Sequence, residues 1–154
     1  MSSIPPGYRT PPGLTDELRM AARDEAYAVL GTVGADGAPH LTRVLFGLDE
    51  HDRVLVPTPA STRKIKNIEE RPLVSLIISI GNGWLSCTGP ATVVGDDAAR
   101  ANNSKVWENI FGSEPHETVR FLRAHEDRSI VITPTKWLSW STESMAPWYD
   151  ENPS

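Results

Sequence analysis

The stretch YAVLGTVGADGAPHLTRVLFGLDEHDRVLVPT, residues 27–58, decides the fold. Tyr27 to Val33 is apolar and partly β-branched, a composition that suits a pleated, half-buried strand. Gly34-Ala35-Asp36-Gly37 follows, and its Asp-Gly pair fits turn positions that require positive φ. From His40 to Leu48 the pattern is extended again, with Thr42, Val44 and Phe46 on one face and Leu41, Arg43 and Leu45 on the other. Asp49 to Asp52 is a polar turn, and Arg53 to Thr58 reads as a third strand. Short turns between neighbouring strands make an antiparallel meander.

Upstream, Thr15 is a candidate N-cap for a helix ending near Asp24 or Ala26, and four prolines and two glycines within Met1–Gly13 predict an irregular arm over residues 1–14. Downstream, Ser61 or Thr62 caps a helix that Pro72 stops. Leu73 to Ile80 has the apolar, β-branched character of a central strand, and Gly81-Asn82-Gly83 turns it into Trp84–Val94. Pro90 interrupts that strand and predicts a bulge or an edge, because proline cannot donate to a ladder. A short helix at Asp96–Ala101, a second from Glu114 through Pro115 to Ala124, and a last strand from Arg128 to Pro134, extended by Lys136–Trp140, complete the domain at residues 15–140. Ser141 to Ser154 carries three acids and no Lys or Arg and reads as an acidic tail. Six or seven strands with only short helices between them provide no βαβ crossovers. The expected architecture is mainly β, an antiparallel sheet curled into a small barrel.

At 154 residues the chain has room for one domain. Surface scaling gives roughly 69% of the extended chain's area buried on folding, enough for a core without staples. The formal charge of -5 argues against a protein that grips nucleic acid through its overall field. One cysteine, Cys87, excludes an intramolecular disulfide and any thiolate cluster, and its strand-like surroundings predict a buried inert thiol. No 18-residue apolar stretch predicts a membrane span, and the first residues lack a signal-peptide pattern. The expected location is cytoplasmic. The four histidines show no zinc-ligand spacing, so no metal is expected.

The segment with the most chemistry is Thr58-Pro59-Ala60-Ser61-Thr62-Arg63-Lys64. A strand ends, hydroxyls gather at a helix N-terminus, and two cations occupy the first turn. Unpaired backbone N–H groups, the helix dipole and a forked guanidinium make a phosphate cradle. Cations there oppose the macrodipole unless an anion reverses the sign. The competing reading is an ordinary capped helix with surface charges. Arg43 lies mid-strand, on either a solvated face or a ligand groove. Five tryptophans, at 84, 107, 137, 140 and 148, suit core filling and interfaces, and such rings can also lie beside a flat ligand.

Together these features resemble the flavin-binding split β-barrels of the pyridoxamine 5'-phosphate oxidase type, over about Tyr27 to Trp140. The resemblance implies that Arg43, Val44 and Leu45 on the second strand, and Val56 and Thr58 on the third, line an FMN groove. Ser61, Thr62, Arg63 and Lys64 then hold the phosphate. Gly89 matches a family glycine late in the fifth strand. The resemblance also implies a homodimer with two cofactor sites at the subunit interface and a small-molecule substrate.

Two features depart from the true oxidases. Trp84 stands where they place a flavin-contacting glutamine, and Trp137-Leu138-Ser139-Trp140 is followed by the acidic tail instead of an Arg- and His-bearing substrate segment. With Trp84 and Trp140 included as ring contacts, the expectation is an FMN-binding oxidoreductase other than a pyridoxamine-phosphate oxidase. The alternatives are a reductase using the deazaflavin F420 and a non-enzymatic cofactor or haem carrier or sensor. Lys66 and Arg71 would serve the polyglutamate tail of F420, while Glu69 and Glu70 oppose it and favour FMN. No residue is singled out as a catalytic acid or base.

Overall fold

Gly34 to Gly37 closes the first hairpin as its sequence requires. Gly37 adopts φ 80°, its N–H donates to the Gly34 carbonyl at 2.9 Å, and the Asp36 carboxylate accepts from Ala38 N at 3.0 Å. The computed structural model describes residues 14–114, 116–141 and 150–151. Its elements run α1 (Asp16–Arg23), β1 (Tyr27–Val33), β2 (Pro39–Leu45), β3 (Gly47–Leu48), β4 (Val54–Thr58), α2 (Arg63–Glu70), β5 (Leu73–Ile80), β6 (Gly83–Val94), α3 (Asp96–Phe111), α4 (Glu117–His125), β7 (Arg128–Ile132) and β8 (Lys136–Trp140). The expectations for the N-terminal arm and for Pro115 fall outside the described residues, as does the tail apart from Ser141, Asp150 and Glu151. No helix among the described residues is long and apolar enough to cross a membrane.

All strand pairs are antiparallel, in the order β2-β1-β5-β6-β7-β4-β3, with β8 on β6 as well. Seven full strands and the two-residue β3 curl around one core that holds Leu30, Val44, Phe46, Val54, Val56, Leu76, Ile78, Leu85, Ile130 and Ile132. This is the mainly β split barrel expected from the sequence. β2 and β3 are one extended run interrupted at Phe46. The Phe46 N–H donates to the Ala26 carbonyl at 3.1 Å and its side chain is fully buried, so the chain pivots there from β1 toward β4.

The outer faces of the barrel differ. α3 packs over β4 and β7, so β4 is buried along its whole length. Over β2, β1 and β5 the outer face is open, and β5 alternates buried and exposed residues despite its nearly all-apolar sequence. Tyr27, Val29, Leu41, Leu73 and Ile77 stand exposed there.

β6 explains why the barrel is split. Its first half pairs with β8, from Trp84↔Trp140 to Thr88↔Lys136, and its second half with β7, from Ala91↔Ile132 to Val94↔Ser129. Pro90 sits at the gap between the two partners. It is thus neither an edge residue nor a bulge against β5, which pairs with β6 in unbroken register along its other side. At the gap, Thr133 N donates to the Pro90 carbonyl and Thr135 N to the Thr88 carbonyl, both at 2.9 Å. The connection crosses so closely that a Cβ on Gly89 would overlap the Thr133 carbonyl.

Two other expectations change. The helix after β6 runs sixteen residues, with Ala99, Asn103, Val106 and Trp107 buried, where only a short piece was legible. Lys136–Trp140 does not extend β7 but returns on β6 as a separate strand.

The close crossing generates a direct test. Gly89→Ala leaves no room for its methyl group without moving backbone, so it should destabilise the domain by at least about 3 kcal/mol, at the severe end for point substitutions. Urea denaturation followed by tryptophan emission measures this, and a loss below about 1 kcal/mol would show that the crossing yields.

Candidate functional site

β4 delivers Thr58 to the barrel interior at 1% exposure, with its hydroxyl 3.3 Å from that of Thr62. The Thr62 hydroxyl donates to the Pro59 carbonyl at 3.1 Å, and its N–H donates to the same oxygen at 3.3 Å. Ala60 N donates to Asp127 Oδ1 at 3.1 Å, tying the loop to the start of β7. The loop is therefore held from both sides. α2 is seated by Ile65 and Ile68 in the core and by Asn67 Nδ2 donating to Thr32 Oγ1 at 3.0 Å.

The consequence is an open helix N-terminus. Thr62 has the extended conformation of an N-cap (φ -79°, ψ 151°) but makes no side-chain capping bond, because its hydroxyl points back to Pro59. The first turn holds no acid. By contrast α1, α3 and α4 carry Asp16 and Glu17, Asp96 and Asp97, and Glu117 in theirs, and Thr15 and His116 cap α1 and α4 with side-chain atoms. In α2 the corresponding turn carries Arg63 and Lys64. Arg63 is exposed and has neither a hydrogen bond nor an ion pair among the described residues. Lys64 is half-buried. Burial pushes its ammonium below the ordinary lysine range, and Glu126 opposes that shift. Backbone N–H groups, Ser61 and two cations thus lie together at the N-terminus of α2.

The other candidates form two groups. Arg43, Leu45, Trp84 and Trp140 share the open outer face of the sheet, where Arg43 stacks over Tyr27 at 3.8 Å and Trp84 pairs with Trp140. A shallow groove of about 240 Å³ lies there against Glu25, Tyr27, Val29, Arg43, Ile77 and Ser79. Val44 and Val56 point inward and are buried in the core, so only their backbone is available to a ligand. Trp107 and Trp137 fill the core, and Trp148 lies outside the described residues.

Sequence reasoning missed the acid whose charge reaches Lys64. Glu126 follows α4, and burial holds its carboxyl above the usual range, with Lys64 and the Trp107 indole pulling it down. The sequence signal for it is Asn102-Asn103, a pair of low helix propensity inside α3. Asn103 is 1% exposed and its Nδ2 donates to the carbonyls of Glu126 and Arg128, both at 3.1 Å. No group of three or more metal-ligating side chains occurs among the described residues.

Cys87 lies inside the barrel at 1% exposure, and burial pushes its thiol up to about 12. At pH 8 a thiol reagent should leave the native protein unmodified and label it fully in denaturant. Labelling of the native protein at the rate of a free thiol would contradict this placement.

Residues 14–141 match the model of the pyridoxamine 5'-phosphate oxidase family, and the chain belongs to that family. No curated protein matches it in sequence. Among solved structures it is similar to the conserved hypothetical protein Rv2991 from Mycobacterium tuberculosis, with TM-score 0.73, 23% identity and coverage of 86% of this chain and 88% of that one. The haem storage protein HutZ from Vibrio cholerae superposes with TM-score 0.65 at 20% identity, covering 81% and 93% of the two chains. General stress protein 26 from Bacillus anthracis gives TM-score 0.57 at 21% identity, covering 79% and 88%. At these identities the likeness is one of fold.

Proposed function

We propose that the protein is a homodimeric FMN-binding oxidoreductase, with the cofactor phosphate held at the N-terminus of α2. The observation that carries the reading is the inverted electrostatics of that terminus: an unused cap, no acid, and Arg63 with Lys64 in the first turn. An anion turns each of these unfavourable features into a favourable one. Arg63 would supply a forked guanidinium, Lys64 a point charge, and Ser61 with the first N–H groups of α2 the neutral donors. A flavin, when bound, supplies hydride or electron chemistry, and the chain's part is to bind, orient and shield it.

FMN is preferred to F420 because the cations that would follow an acidic tail are largely spent. Arg71 donates through Nε to the Val33 carbonyl at 2.7 Å and pairs with Glu70 at 3.0 Å. That leaves Arg63 and Lys66 as the exposed cations of α2, with Glu69 and Glu70 exposed after them. The likeness to the haem storage protein HutZ supports a second, non-enzymatic reading. Against it, His116 is occupied as the cap of α4 and His125 by the Phe121 carbonyl at 2.7 Å.

The partner is a second copy of the chain. An antiparallel sheet with one solvent face normally alternates apolar and polar residues. Here Tyr27, Val29, Leu41 and Ile77 occupy the solvent face, continuous with Trp84 and Trp140. Apolar side chains collected on one face mark an interaction surface, and self-association across a twofold axis is its commonest use.

Two measurements test these readings. Arg63→Ala should weaken FMN binding by about 10- to 150-fold, the loss of a charge-assisted bond worth roughly 1.5–3 kcal/mol. Calorimetric titration of the stripped protein with FMN, F420 and haem reads this, and an Arg63-independent affinity, or tight binding of F420 or haem alone, rejects the assignment. Sedimentation equilibrium at micromolar protein should give about twice the chain mass of 16.9 kDa. Ile77→Glu, which places a charge in the middle of the open face, should shift the population to monomer. A monomeric parent protein overturns the dimer.

A further inference from the structure

We propose that the cavity between α3, α4 and the start of β7 is a second ligand site, built for a small monocarboxylate that carries a hydroxyl group. Arg123 takes the carboxylate, and the hydroxyl joins the Trp107 indole N–H to the Glu126 carboxylate. The cavity measures about 370 Å³, within the range of small-molecule pockets. It stands apart from the anion cradle, since no residue of α2 lines it. Five buried side-chain polar atoms among the described residues lack a hydrogen bond, and three of them gather at this place: Trp107 Nε1, Glu126 Oε2 and Asn103 Oδ1. Such atoms are rare in folded proteins, because each gives up its hydration without a replacement bond. Their gathering around one cavity marks where a ligand supplies the missing bonds.

The wall that holds these atoms is firmly built. Trp107 is fully packed within α3. Glu126 is fixed on both sides: its N–H donates to the Leu122 carbonyl at 2.7 Å, and its carbonyl accepts from Asn103 Nδ2 at 3.1 Å. The same amide nitrogen donates to the Arg128 carbonyl at 3.1 Å, which ties α3 to β7. The indole lies near enough to Glu126 to draw its carboxyl toward the ionised form, yet no hydrogen bond joins them. A donor and an acceptor thus line one cavity and leave each other unsatisfied. A fully ionised inorganic anion accepts from the indole but has no proton to donate to the carboxylate. An ammonium group donates to the carboxylate but accepts nothing from the indole. A hydroxyl does both.

The remaining lining residues set the charge of the ligand. Arg100 lies 3.7 Å from Asp97 and Arg128 lies 3.2 Å from Asp127, so both have acids of their own. Arg123, exposed in the last turn of α4, has neither a hydrogen bond nor an ion pair among the described residues. Its planar fork matches a carboxylate. Asp96, also on the cavity wall, and Glu126 oppose any further negative charge. The site therefore suits one carboxylate with a neutral donor beside it, and not a dianion.

The indole N–H resonance of Trp107 reports on the site directly. The full chain is titrated at pH 7 with D-gluconate, D-glycerate and L-lactate, and at least one of these acids should shift that resonance saturably. For the acid that responds, the matching carboxylate without hydroxyls and the matching alcohol without the carboxylate should each bind at least about 10-fold more weakly. Arg123→Gln alters an exposed side chain that makes no bond, so it should leave the resonance of the free protein in place. The same variant should weaken binding of the responding acid by about 10-fold or more. No saturable shift with any of the three acids means that water alone fills the cavity, and it overturns the proposal. Equal affinity for the acid without hydroxyls, or an affinity that Arg123→Gln does not change, overturns it as well. FMN binding at α2 is read from other resonances, so the cradle and this site stand or fall separately.

Discussion

The crossing at Gly89 is the constraint on which the rest of the molecule depends. One long strand, β6, serves β8 with its first half and β7 with its second, and the connection between those partners passes against its backbone. That handover sends β7 to β4, where Arg128 meets Thr58, and brings Trp140 to Trp84 on the opposite side. The same turn of chain therefore fixes the flank of the proposed phosphate cradle and the aromatic end of the open sheet face. A barrel closed by a single continuous ladder would separate neither.

The electrostatics of α2 are those that the proposed anion site requires. Its seating is apolar and firm, through Ile65, Ile68 and the Asn67–Thr32 bond, so its N-terminus is not free to fray toward water. The cap hydroxyl is used elsewhere, and the first turn carries charge of the sign that weakens a helix. Elsewhere in the chain the same physical problem is handled conventionally, with acids in the first turns of α1, α3 and α4. A cradle of this kind gives up some stability in the empty state in return for anion binding.

Much of this was legible in the sequence because it rests on local pattern. The Asp-Gly turn, the Thr15 cap, the α2 boundaries and the alternation of β2 all follow from short-range chemistry. The long α3 was not legible. Its interior holds Asn102, Asn103 and Ser104, residues of low helix propensity, and it is Asn103 that spans to the carbonyls of Glu126 and Arg128. A tertiary bond overrode the local signal. The same cause hid Glu126, whose significance comes from a helix and a loop more than sixty residues upstream. β8 was misread for a related reason: Lys136–Trp140 has strand character, but which neighbour it joins is decided by the space at Gly89 and by no residue within it. Of the candidate site residues, those contiguous in sequence, Thr58 and Ser61 to Lys64, lie together. Arg43, Leu45, Trp84 and Trp140 form a separate group on the sheet face, and alternation alone placed Val44 and Val56 inside.

The central claim, that the open N-terminus of α2 is the anion site, is tested most directly by following backbone amide resonances of the full-length protein during titration with FMN. The account predicts that the N–H signals of Ser61 to Ile65 shift first and furthest, saturate together, and move downfield as expected for donors engaged by a phosphate. Saturable FMN binding that leaves those five resonances in place, while others move, would contradict it.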